Sequence, residues 1–138
     1  MRRLAMALPE VTERSGREGH LDWRVRDNLF VWERPLRKSD LAALAARGED
    51  APQEPILGVR VADLGVKEAL IADDPEVCFT IPHFDGYSAV LVLLDQITVP
   101  ALEELIVDAW LARAPKRLAA EFLDRTSGKS RDSATRPG

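Results

Sequence analysis

The side chains able to do chemistry are few in this chain and widely spaced. Two histidines, His20 and His83, one cysteine, Cys78, and acidic positions such as Asp73, Asp74 and Asp85 are the groups that a metal centre or a nucleophile would draw on. A zinc-type site needs three or four ligands, and two histidines without an HxxxH or CxxC spacing fall short of that count. There is no glycine-rich phosphate loop, no GxSxG and no nucleophile–base pair at a recognisable spacing. Cys78 stands between Val77 and Phe79 in a strand-like run, where a thiol behaves as a small buried hydrophobe. Asp73-Asp74 precedes Pro75 as a helix stop, and Asp85-Gly86 is a tight-turn signal. No catalytic residue, no metal and no cofactor is expected.

Binding chemistry is better represented. The 138-residue chain carries a net charge of −4, unevenly spread. From Arg113 onward, seven Lys/Arg stand against three acids, a local +4, which leaves −8 on the first 112 residues. Phosphate contacts by Lys and Arg supply most of the affinity for nucleic acid. The candidate contacts are Arg24 and Arg26 on one face of a hairpin, and Arg113, Lys116 and Arg117 at a helix boundary. A second possibility is a groove for a partner protein or a small ligand near His20, Trp23, His83 and Trp110.

These residues must be positioned by elements whose patterns are visible. In "HLDWRVRDNLFVWER", Leu21, Trp23 and Val25 alternate with polar residues, the period of a half-buried strand. A two-residue turn at Asp27-Asn28 sets Val25 opposite Phe30 and Trp23 opposite Trp32 on one core face, with Arg24 and Arg26 on the other. In "FTIPHFDGYSAVLVLLD", a turn at Asp85-Gly86 sets Phe79 opposite Val92 in a second hairpin. Pro82 lacks an N–H and marks an edge or a bulge there. Ala89, Leu91 and Leu93 make the other face of the returning strand apolar too, as expected of a central strand. "ILGVRVAD" reads as a lone strand.

Helices are expected at the N-terminus, after Ser39 or Asp40 until Gly48, after Asp63 until Pro75, and after Thr98 until Pro115, with a further one from Pro115. The helix after Thr98 is the strongest, with Leu102, Leu105, Ile106, Ala109 and Trp110 as its buried stripe. Two hairpins and one strand make a mainly antiparallel sheet of about five strands. The expected fold is an α+β two-layer sandwich with the helices on one face. Residues 1–125 form the single expected domain, and 126–138 a disordered basic tail. No apolar run approaches membrane-spanning length, and the single cysteine excludes an intramolecular disulfide, so a cytoplasmic chain is expected.

Four stretches together resemble the MmcQ/YjbR family: Ala7-Leu8-Pro9-Glu10, Trp23-Arg24-Val25-Arg26, "PHFDGY" at Pro82–Tyr87 and "DAWLARAPKRL" at Asp108–Leu118. The resemblance covers about residues 4 to 123 and implies a compact α+β domain. Members commonly carry the description DNA-binding protein. Many have glycine and lysine at the first hairpin turn, where this chain has Asp27-Asn28. The expected function is therefore weak, electrostatic and non-enzymatic binding of DNA, with a protein- or ligand-interaction domain as the alternative.

Overall fold

The computed structural model describes the backbone of residues 1–135 and, except at position 17, the side chains of residues 1–126. The chain runs through α1 (Arg2–Met6), β1 (Val11–Ser15), β2 (Leu21–Val25), β3 (Asn28–Glu33), α2 (Lys38–Ala46) and β4 (Ile56–Arg60). It continues through α3 (Leu64–Asp73), β5 (Cys78–Phe79), β6 (Ala89–Leu93), α4 (Val99–Arg113) and α5 (Lys116–Thr135). The fold is α+β: a six-stranded antiparallel sheet, in the order β1-β2-β3-β4-β6-β5, with helices packed against it. The expected tail at 126–138 falls almost entirely outside the described side chains, and residues 136–138 lie outside the described residues altogether.

The sheet has one strand more than the sequence pattern suggests. β1, "VTERS", pairs with β2 along its whole length as an edge strand with a mostly polar surface, so it shows little hydrophobic alternation. The inner face carries the main core. Trp23, Val25, Phe30, Val31, Leu57, Val59, Val90 and Val92 pack there against the stripe of α4 (Leu102, Leu105, Ile106, Ala109 and Trp110) and Leu118 of α5. Thr98 accepts a hydrogen bond from the Ala101 N–H at 3.3 Å and starts α4 as its cap. Asp63 does the same for α3 through Val66 at 2.9 Å. Each large side chain buried on this face contributes about 1.5–3 kcal/mol.

Both hairpin registers differ from strict alternation. The first turn is Arg26-Asp27, one residue earlier than expected, with positive φ of 45° and 69° as a type I′ turn requires. Arg24 then pairs with Leu29 and Trp23 with Val31, so Phe30 is the extra residue of a bulge. The bulge lets Phe30 and Val31 both reach the core, which alternation forbids for neighbours, and it sends Trp32 to the opposite face. Trp32 therefore does not share a face with Trp23.

In the second pair, Cys78 lies opposite Val92 and Phe79 opposite Leu91, again one residue from the expected register. The connection is not a two-residue turn. Pro82–Phe84 forms a 3-10 turn whose first position suits a residue without an N–H, and Gly86 follows at a φ of 76°. Phe79 consequently faces outward with Leu91.

The outer face has its own smaller core of Leu44, Ile56, Ile81, Phe84 and Leu91, with Trp32, Leu36, Phe79 and Leu93 packed around it. Leu44 belongs to α2, so this helix covers part of the outer face, contrary to the expectation that all helices share one side. α2 begins at Lys38 after Arg37, and Asp40 lies in its first turn rather than at the cap. Its carboxylate reaches back to the Arg37 N–H at 2.9 Å.

Candidate functional site

One row of residues crosses the outer face through every strand: Arg14, Asp22, Trp32, Gly58, Leu91 and Phe79. α2 and the Pro82–Tyr87 loop cover the β5 side of this face, and between them and the β2–β3 side opens a groove of about 1040 Å³. Trp32, Phe84 and Tyr87 supply its aromatic walls. The Phe84 ring lies 6.1 Å from Trp32 and 5.8 Å from Tyr87, and the His83 ring meets it edge-on at 5.0 Å. His20 and His83, far apart in sequence, line this same groove.

Three buried charged groups hold the walls in place. Arg34 (4% exposed) and Asp40 (3% exposed) form an ion pair at 2.9 Å. Arg34 also donates to the Pro35 carbonyl and places its guanidinium 5.3 Å from the centroid of the Phe84 ring. Burial pushes the Asp40 carboxyl up, but hydrogen bonds from the Arg37 N–H and from Arg34 outweigh it, with the His83 ring adding to them, and hold it below its ordinary value. Lys67 reaches from α3 to donate to the Phe84 carbonyl at 2.6 Å and the Tyr87 carbonyl at 2.9 Å. Burial lowers its pKa, with Asp85 opposing. The loop that carries the aromatic wall is thus pinned from beneath.

Of the groove expected from sequence, His20 and His83 are present and Trp23 and Trp110 are not. Both tryptophans are core residues of the inner face, their indole N–H groups donating to Glu13 and to the Pro9 carbonyl, each at 3.0 Å. Trp32 takes the place assigned to them. A signal for this was available in Gly58, since a glycine inside an otherwise apolar strand marks close approach by another group. Among the described residues no cluster of three His, Cys, Asp or Glu is placed to hold a metal ion. The Cys78 thiol is buried, and desolvation, with Asp74 beside it, pushes its pKa up to about 11.

The expected nucleic-acid contacts are brought to one end of the molecule. Asn28 donates to the Arg113 carbonyl at 3.0 Å and Arg113 to the Leu29 carbonyl at 3.1 Å, which locks the end of α4 to the first hairpin. Burial and the nearby Arg60 lower the Arg113 pKa. Arg24 pairs with Asp22 at 3.0 Å, and Arg26 binds both carboxylate oxygens of Glu10 at 2.6 and 2.9 Å. Lys116 and Arg117 are exposed at the start of α5, and no ion pair joins either to an acid among the described residues.

These features define a small α+β domain with a sheet-face groove and a separate basic junction. Comparison with known proteins places it further: the YjbR family model matches residues 6–112, and the chain belongs to that family. It is 62% identical over 102 residues to the uncharacterized protein Rv2570 of Mycobacterium tuberculosis and equally to the uncharacterized protein Mb2600 of Mycobacterium bovis, covering 74% of this chain and 79% of each relative. The fold is shared with the crystal structure of Deinococcus radiodurans protein DR2400, a DUF419 domain, at a TM-score of 0.56 and 19% identity over 80% of this chain and 72% of that one. Among the described residues no helix is long and apolar enough to cross a membrane.

Proposed function

We propose that this domain is a binding module rather than an enzyme, and that its site is the outer-face groove. The observation that carries this reading is an open cavity walled by Trp32, Phe84 and Tyr87 and braced by the Arg34–Asp40 pair and Lys67. Apolar walls with a few fixed polar groups are the usual composition of a ligand site, and bracing before binding lowers its entropic cost. A thiol with a pKa near 11 is protonated at neutral pH and makes a poor nucleophile, which favours binding over catalysis. The test is a fragment screen by protein-detected NMR. Hits should shift the signals of Trp32, His83 and Tyr87, and a screen whose hits all lie elsewhere overturns the reading.

A second reading, weak binding of DNA, is favoured by the exposure of Lys116 and Arg117 beside the first hairpin. Arg24 and Arg26 are engaged by acids and Arg113 by a carbonyl, so only about two or three phosphate contacts are available without breaking them. The slope of log K against log salt should then be about −2 to −3, at about −0.9 per contact. Replacing Lys116 and Arg117 by Ala should flatten it by up to about two units. Titration of a labelled duplex at low and moderate salt decides this, and absence of binding at low salt ends the DNA reading.

A further inference from the structure

We infer that the groove takes a planar aromatic ring bearing an acidic group, with the ring stacked on the outward face of Trp32 and the acid held by Arg37 and Lys38. This rests on the reading of the groove as the binding site and names the chemical class of its ligand.

The ring half of the inference comes from Gly58. Trp32 and Gly58 are direct cross-strand partners on the outer face. A Cβ added to Gly58 would come within 2.3 Å of Cε2, 2.5 Å of Cζ2 and 2.8 Å of Cδ2 of the Trp32 indole. Cδ2 and Cε2 form the fusion bond in the middle of the indole, so the ring meets the glycine with its face and not its edge. One face is therefore spent on the sheet, and the other is turned toward the groove that Trp32 lines. Phe84 and Tyr87 each already hold a cation against the ring. Arg34 lies over Phe84 at 5.3 Å and Arg60 over Tyr87 at 4.6 Å, whereas no cation lies over Trp32 among the described residues. A rigid aromatic surface beside a tilted second ring, Phe84 at 53°, fits a flat ligand as a base fits a stacking platform.

The acid half comes from which charges in the groove are already matched. Asp22 is paired with Arg24 and Asp85 with Arg47, while Glu33 accepts the Leu21 N–H at 2.7 Å and Glu18 lies 3.6 Å from His20. Arg37 and Lys38 line the groove without an acid partner among the described residues. They stand at the start of the nine-residue helix α2, whose dipole adds positive potential there. Glu18 and Glu33 likewise have no lysine or arginine partner among the described residues, so the positive charge open to an acid is that of Arg37 and Lys38 at the start of α2.

The experiment titrates three probes into labelled protein and follows the Trp32 indole N–H and the Gly58 amide by NMR: indole-3-acetate, indole, and cyclohexanecarboxylate. The flat acid should bind about tenfold tighter than either partial probe, since stacking on an aromatic side chain and a hydrogen bond to a charged group are each worth about this factor. Trp32→Leu should remove the advantage over cyclohexanecarboxylate, and Trp32→Phe, which keeps a flat ring, should retain most of it. Arg37→Gln with Lys38→Gln should remove the advantage over indole. Equal binding of the flat and the saturated acid within the groove overturns the stacking inference and leaves the groove reading standing. Equal binding of indole overturns the acid half. Failure of indole-3-acetate to shift Trp32 at millimolar concentration overturns the ligand class, and it overturns the groove reading as well only if the fragment screen finds nothing there.

Discussion

Arg34 and Asp40 are few-percent-exposed charges on the sheet's outer side, and their pairing has a measurable consequence. Removing one partner strands the other without water, which costs about 3–5 kcal/mol, so Asp40→Ala should lower the urea midpoint sharply. The pH dependence follows from the sign of the shift. The folded Asp40 carboxyl lies below its unfolded value of about 4, so the pair stabilises fully above that value and loses its contribution as pH falls through the folded one. The stability difference between the wild type and Asp40→Asn should therefore shrink on acidification from pH 7 to pH 3. Lys67 makes a different case, because its ammonium serves two backbone carbonyls. Lys67→Met should cost about 1–3 kcal/mol and raise hydrogen exchange at residues 84–87 more than elsewhere. Neither role was legible in sequence, since burial of a charge depends on what the chain folds over it.

At the scale of elements, the helices were legible and the strand registers were not. Asp63, Thr98 and Pro100 mark helix starts by local hydrogen bonding and fixed φ, which need no distant partner. A register depends on both strands and on what each face packs against. "LFVW" has four large apolar residues in succession, and the bulge at Phe30 divides them between the faces in a way no alternation rule anticipates. The turn this produces places Asp27 at a φ of 69°, where a side chain is strained. Asp27→Gly should relieve that strain and gain up to about 1 kcal/mol, read as a higher melting temperature. In the middle of the sheet, Gly58→Ala drives a Cβ into the Trp32 indole. It should destabilise the fold by about 1–3 kcal/mol and alter Trp32 fluorescence, whereas an unchanged spectrum would mean that the ring does not rest there.

For the molecule as a whole, the three tryptophans report on the two faces separately. Trp23 (2% exposed) and Trp110 (0%) are enclosed in the main core, and Trp32 is only partly buried on the other side. Trp23→Ala and Trp110→Ala should each cost about 3–5 kcal/mol, and Trp32→Ala distinctly less. Equal losses at all three sites would contradict the division of the core into two clusters. The charge asymmetry between the first 112 residues and the rest survives folding as the exposed Lys116 and Arg117, while Arg24, Arg26 and Arg113 are drawn into pairs and backbone contacts.

Hydrophobic periodicity, helix caps and turn residues determined on their own that this is an α+β domain of antiparallel strands with α4 across its core, because those signals act within a few residues. The family was also readable, since its motifs are short and local. Tertiary structure decided which way Trp32 faces, that a polar edge strand completes the sheet, and that His20, His83 and the Arg34–Asp40 pair meet around one groove. Those outcomes depend on a bulge, a glycine two strands away from β2 and a lysine reaching up from α3. The Trp32–Gly58 and Lys67–Phe84 contacts join different elements of the chain, beyond the reach of any local pattern.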